Sequence, residues 1–250
     1  MCLCSSIPST ANAGFYRPLT TSSGTTDAKW NMTTTIDIRP RSDNGLINTP
    51  PTASVFSPYG IPYNIATQII IPTMDIDGDD VRCRWSTSQL ECGDVCYPKV
   101  IPSPTSISSN CILTITGTSP TAWYCAAIQV EDFLNTTTSQ PLSSISVQFL
   151  IYVYVPRNCS SPTLSSSLIC EDVQVGVPYQ FTYIAINSCG ASSNISDIAI
   201  QSFTGIVQNP LIDVNSNKTT YTMLVTYTPV SSQIGVQVLC ARAIDELVNQ

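Results

Sequence analysis

Asp75, Asp77, Asp79 and Asp80 place four carboxylates within six residues, with Gly78 among them. Hard divalent cations, calcium above all, take six to eight oxygen ligands, and a flexible acidic loop supplies several of these. Asp75, Asp77 and Asp79 alternate, so an extended backbone turns their side chains to one side. Gly78 allows the turn that gathers them. The loop is not an EF-hand, because no downstream Glu follows at the required spacing. A second acidic pair, Glu131 and Asp132, follows a strand-like run much later in the chain. In an immunoglobulin-like topology, the loop after the second strand and the loop before the last strand share one pole. Asp75, Asp77, Asp79, Glu131 and Asp132 are therefore the expected ligands of one calcium ion, completed by carbonyls and water. Affinity typical of extracellular modules, about 10⁻⁴ to 10⁻³ M, is expected. Ordinary solvated turn chemistry is the competing reading, with Asp79 pairing with Arg82 or Arg84.

Other chemistries are restricted by what is missing. The chain has no histidine among its 250 residues, which removes Ser-His-Asp and Cys-His catalysis and histidine metal sites. An enzyme would have to work with carboxylates, as a glycosidase using a pair such as Asp77 and Glu131 would. A net charge of −7 argues against nucleic acid or an anionic membrane surface as partner. The longest apolar run, 147–155, is interrupted by Gln148 and is too short to span a bilayer, so no membrane insertion is expected.

The eleven cysteines point to an oxidising compartment. Cys83, Cys92, Cys96 and Cys111 are expected to form two disulfides, with three pairings open. Their spacing also admits a four-cysteine zinc site, which the compartment disfavours. Cys125 reads as a buried, unpaired strand residue. In the second half, Cys189 with Cys240 and Cys159 with Cys170 are the expected bonds, and Cys2 and Cys4 have no evident partner. Sequons at Asn31, Asn135, Asn158, Asn194 and Asn217 agree with an extracellular, glycosylated protein.

These residues must be positioned by strands. Hydrophobic residues make up 43% of the chain and charged residues 11%; short β-branched runs are separated by Gly, Pro and Asn turns, and helical periodicity is scarce. Residues 1–28 read as an irregular segment. Residues 29–156 read as a first β-sandwich carrying the acidic loop and the cysteine cluster, and 157–250 as a second. Expected strands of the first unit are 30–38, 53–56, 68–71, 81–86, 111–116, 122–130 and 145–155, with a long polar loop from Glu131 to Ser144. Those of the second are 178–186, 195–203, 219–227 and 235–243. Trp85 and Trp123 are expected in the core. The segment 123–135 is echoed by 238–249, each a buried strand that runs into acidic residues. The fold class is thus all-β, two tandem immunoglobulin- or cadherin-like sandwiches. The second is expected to lack its last strand, as a piece of a longer protein does.

The order D-x-D-G-D-x-V-R-C-R-W (75–85), E-C-G-x-x-C (91–96), Cys111, E-D-F (131–133) and P-L-S-S-x-x-x-Q-F-L (141–150) resembles units of metazoan extracellular multidomain proteins. The resemblance implies a cadherin-like or immunoglobulin-like sandwich in a secreted or surface protein, and no activity. The expected function is a non-catalytic extracellular binding or adhesion module with a protein or glycan partner. Spacer domains without a ligand are the alternative, and a carboxylate-based glycosidase the remote one.

Overall fold

The structure, a computed structural model, describes residues 19–21, 24–26, 28–156, 159–168, 171–214 and 216–246. The chain divides into two units, Met1–Pro156 and Arg157–Gln250.

In the first unit the strands are β1 (Leu19–Thr21), β2 (Gly24–Thr26), β3 (Thr35–Ile36), β4 (Thr52–Ala53), β5 (Tyr59–Pro62), β6 (Ala66–Ile70), β7 (Thr73–Met74), β8 (Asp80–Trp85), β9 (Ser106–Ile107), β10 (Ile112–Thr116), β11 (Trp123–Phe133) and β12 (Ser143–Tyr154). One sheet runs β6-β10-β9. The facing sheet runs β3-β12-β11-β8, with β5 added parallel to β12. Alternate residues of both sheets point inward, as the two-residue period of a strand requires. Ile69, Leu113 and Ile115 from one sheet meet Ala126, Ile128, Val130, Phe149 and Ile151 from the other. Each buried Val, Leu, Ile or Phe side chain here contributes about 1.5–3 kcal/mol. The Cys83–Cys111 disulfide ties β8 to the start of β10 across this core.

Strand β11 is buried on its other face as well. Cys125 and Ala127 pack against Leu19, Cys92, Val95 and Val100. This covering layer contains a short helix, α1 (Gln89–Cys92), that runs directly into the turn 92–96. Ser88 caps α1 by accepting the Glu91 N–H at 3.2 Å, and the adjoining Cys92–Cys96 disulfide closes the turn. Gly93 stops the helix at φ 58°, and a Cβ there would lie 2.5 Å from the Lys29 carbonyl oxygen. The strand expected over 30–38 shortens to β3 for a related reason. Asn31 Nδ2 donates to the Gln89 carbonyl at 2.8 Å and Thr33 Oγ1 to the Leu90 carbonyl at 2.8 Å, so these residues serve the helix rather than a sheet.

In the second unit, β13 (Thr163–Ser166), β14 (Tyr179–Ile186), β18 (Thr220–Tyr227) and β16 (Ile206–Gln208) form one sheet in that order, with β17 (Ile212–Asp213) also on β18. β15 (Ile195–Gln201) pairs with β19 (Cys240–Asp245). Phe181, Tyr183, Ala185, Met223 and Val225 pack with Ile195 and Ile198. Both units are immunoglobulin-like β-sandwiches. The sequence echo is also topological: β11 pairs with β8, and its counterpart β19 pairs with β15.

The cysteine expectation for this unit is corrected. Cys159 bonds Cys189 and Cys240 is free, whereas Cys170 lies outside the described residues. Cys189 precedes Ile195 at one end of the β15–β19 ladder, while Cys240 pairs with Gln201 at the other. A six-residue strand spans about 20 Å, far beyond disulfide reach.

Candidate functional site

The acidic loop folds as its spacing implies. Asp75 Oδ1 accepts the N–H groups of Asp77 at 2.8 Å and Asp79 at 3.2 Å, and Gly78 takes φ 79° so that the chain can double back. β8 begins at Asp80, the next residue.

Strand β11 continues through Glu131 and Asp132 to Phe133, where the sequence placed the start of a loop. Register explains why this matters. Glu131 lies opposite Arg82 and Asp132 opposite Val81, so the two carboxylates leave opposite faces of the sheet. Asp132 points inward beyond Val130 and is 0% exposed. Its Oδ1 accepts the Ser143 N–H at 2.6 Å and the Ser143 hydroxyl at 2.7 Å, and its Oδ2 accepts Asn48 Nδ2 at 2.7 Å. These donors hold a charge that burial alone would penalise.

Ligand oxygens of Asp75, Asp79 and Asp132 all lie within 4.8 Å of one another. Asp75 Oδ2 is out of solvent and has no hydrogen-bond partner among the described residues. Burial pushes the Asp75 carboxyl above its ordinary value; the Asp79 and Asp132 charges act in the same direction, against the two N–H donors. Thus three of the five expected ligands converge and two do not. Asp77 accepts the Thr49 N–H at 2.7 Å and stands 3.6 Å from Arg41 Nη1. Glu131 turns to the other face of the sheet.

Arg41 is the residue sequence reasoning missed. It lies in the Pro40–Ile47 turn, is 8% exposed and sits at the centre of the acidic group. Nη1 and Nη2 grip both Asp79 oxygens at 2.5 and 2.6 Å; Nε and Nη2 hold Asp43 at 3.0 and 3.1 Å; Nη1 also donates to Asn48 Oδ1 at 2.9 Å. The planar fork suits two-point carboxylate binding. Its hydrogen bonds lower the Asp43 carboxyl below its usual value. The expected pairing of Asp79 with Arg82 or Arg84 is therefore corrected. The only available signal was scarcity: ten Lys and Arg serve seventeen acids, so a basic residue in a turn was a candidate for capture.

Arg82 and Arg84 work on the outer face. Arg82 holds Asp80 at 2.6 Å, stands 4.1 Å from the centroid of the Phe133 ring and donates to the Asn135 and Thr138 carbonyls, anchoring the 134–142 loop. Arg84 binds Glu91 through two nitrogens at 3.0 and 2.8 Å and Glu131 at 2.9 Å. Its hydrogen bonds lower the Glu91 carboxyl. Thr33, Thr35, Gln129, Glu131 and Ser144 line a small polar cleft there with Arg84. The four cysteines around this region are consumed as Cys83–Cys111 and Cys92–Cys96, so no thiolates remain for zinc. Cys125 is buried and unpaired, and burial raises its thiol well above the usual range.

No family model matches the chain, and no curated protein matches it. Among solved structures, the chain is similar to a crystal structure of the N-terminal eight Ig domains of the Down syndrome cell adhesion molecule, isoform 1.30.30. The match has 11% identity and a TM-score of 0.26, and covers 81% of this chain. The chain spans 28% of that chain's length. So distant a likeness adds nothing to the class that the strand order defines, an immunoglobulin-like sandwich protein. No described helix is long and apolar enough to cross a membrane.

Proposed function

We propose that this chain is a non-catalytic extracellular binding module with a protein partner, its first unit stabilised by calcium. The observation that carries the binding role is the solvent face of the larger sheet in the second unit. Register puts Ile184, Ile186, Thr222, Leu224, Val207 and Ile212 on that face. Ile184, Ile186, Val207 and Ile212 are 39%, 48%, 58% and 61% exposed. The strand residues of this face carry no charge, Thr182, Thr220, Thr222 and Thr226 stand among the aliphatic side chains, and exposed apolar surface set among polar residues is a mark of protein contact. Three disulfides agree with an extracellular location.

The test uses beads coated with the chain and scored for self-clustering and attachment to cells. We expect attachment or clustering by wild type, and its loss in an I184D/V207D variant with an unchanged circular-dichroism melt. A variant that adheres as well as wild type overturns the assignment, as does inert wild type.

The calcium reading rests on the three converging carboxylates and the unpartnered Asp75 oxygen. The oxygen donors suit a hard cation, with Asp75, Asp79 and Asp132 as protein ligands. Arg41 favours the spacer reading for this pole, because it already neutralises Asp79 and the loop can close without an ion. Calcium titration of the intact chain distinguishes the two: no thermal shift at about ten millimolar removes the ion. Against a glycosidase, Asp77 is held by Thr49 and Arg41 and Glu131 by Arg84.

A further inference from the structure

We propose that Asn135 and Asn217 carry N-linked glycans and that Asn31 and Asn194 do not. The inference rests on the extracellular reading above, which supplies the compartment. Asn158 lies outside the described residues and is left aside.

The four described sequons fall into two geometries. Asn135 is exposed in the loop between β11 and β12. Its Oδ1 accepts the Thr137 N–H at 2.9 Å and the Thr137 hydroxyl at 2.6 Å. Asn217 is exposed in the loop between β17 and β18, and repeats the arrangement: its Oδ1 accepts the Thr219 N–H at 3.1 Å and the Thr219 hydroxyl at 2.7 Å. Both residues are exposed, and among the described residues neither Nδ2 donates a hydrogen bond.

Asn31 and Asn194 are built into the fold instead. Asn31 Nδ2 donates to the Gln89 carbonyl, and the hydroxyl of its sequon, on Thr33, donates to the Leu90 carbonyl. Asn194 Nδ2 donates to both Glu246 oxygens at 3.0 Å, and its sequon hydroxyl, on Ser196, donates to the Ile244 carbonyl at 3.1 Å. In both cases amide and hydroxyl are turned onto a neighbouring element rather than onto each other. Ile195, the middle residue of the second of these, is 3% exposed.

The chemistry favours the first geometry. An amide nitrogen is a poor nucleophile because its lone pair is shared with the carbonyl. Glycosylation joins Nδ2 to the anomeric carbon of a polyprenyl-diphosphate-linked oligosaccharide. The N–C bond forms, the C–O bond to the diphosphate breaks with its electron pair on the leaving diphosphate, and one amide proton passes to a base of the transferring enzyme. As that proton leaves, charge collects on Oδ1. Two donors aimed at Oδ1 stabilise this charge, as hydrogen bonds to a charged form do. The turn is also local, spanning two residues, so a nascent chain can form it before the sheets exist. The contacts of Asn31 and Asn194 reach 58 and 52 residues along the chain, so folding of the unit withdraws both amides from the transferring enzyme.

The test secretes the 250-residue chain from a eukaryotic line behind an added secretion signal. Enzymatic deglycosylation leaves Asp wherever a glycan was attached, read by peptide mass spectrometry, and the same sample is mapped for disulfides. We expect Asn135 and Asn217 occupied in most molecules and Asn31 and Asn194 bare, with N135Q and N217Q each removing one mobility step. Disulfide-bonded protein that is bare at Asn135 and Asn217, or that carries glycans at Asn31 or Asn194 to the same extent, overturns the assignment and leaves the extracellular reading standing. Glycans in the expected pattern beside free thiols at Cys83, Cys92, Cys96 and Cys111 support the assignment and overturn the extracellular reading.

Discussion

Replacing Arg41 with methionine keeps the apolar stem and removes the guanidinium. Asp79, whose side chain is 3% exposed, then loses both hydrogen bonds that neutralise it and faces Asp75 and Asp132. Removing one partner of a buried ion pair costs about 3–5 kcal/mol, because the other charge is stranded out of water. For a unit of this size that is about 6–20 °C in melting temperature. The assay needs no dissection of the chain, since Trp30, Trp85 and Trp123 all lie in the first unit. Urea unfolding followed by tryptophan fluorescence therefore reads that unit within the whole protein. In EDTA, R41M should lose about 3–5 kcal/mol, and adding D79N should return part of it, with a coupling of about 0.5–3 kcal/mol. Calcium should also restore stability, because the freed Asp79 joins Asp75 and Asp132. At ten millimolar, an affinity of about 10⁻⁴ to 10⁻³ M gives about 1.4–2.7 kcal/mol. If R41M unfolds in EDTA within about 1 kcal/mol of wild type, Arg41 does not balance these acids and the description of the pole is wrong.

D75N should abolish any calcium-induced thermal shift while leaving the unit at least as stable in EDTA at neutral pH, since the amide keeps an oxygen for the Asp77 and Asp79 N–H groups without a buried charge. A carboxyl held above its ordinary 3.8 binds its proton more tightly in the folded state, so wild type gains stability here as pH falls through the folded value toward 3.8, and a urea series in pH should show D75N lacking that gain. The double variant C83A/C111A opens a loop of sequence separation 28 and should lose about 3.5 kcal/mol in urea unfolding; a loss below about 1 kcal/mol would contradict the pairing. G93A should cost about 2–5 kcal/mol, adding a contact against the Lys29 carbonyl to the strain of positive φ, whereas G45A, at φ 72° with nothing within 4 Å of its Cβ, should cost only about 1–2; equal losses in thermal melts would refute the close approach.

Much of this protein is legible without coordinates because the signals are local. Ile115 between Thr114 and Thr116, and Val130 between Gln129 and Glu131, show the alternation that reports strands, since the side-chain period of a strand is two. Absence of histidine, cysteine abundance and the Asp75–Asp80 cluster are compositional, and each limits chemistry wherever the residues fall. The parts that resisted depend on distance along the chain. Arg41 reaches Asp79 across 38 residues, and nothing near Arg41 signals it. Glu131 and Asp132 look equivalent in sequence, yet the ladder β11 makes with β8 sends one to Arg84 and the other into the core. The second-unit cysteines fail likewise: which pair meets is set by the two ends of the β15–β19 ladder, not by spacing. Sequence thus determined the class of fold, the available chemistry and the loop where carboxylates gather. Tertiary structure alone decided which carboxylates face one another and which cation sits among them, because register and long-range packing, rather than residue type, choose the neighbours of a buried charge.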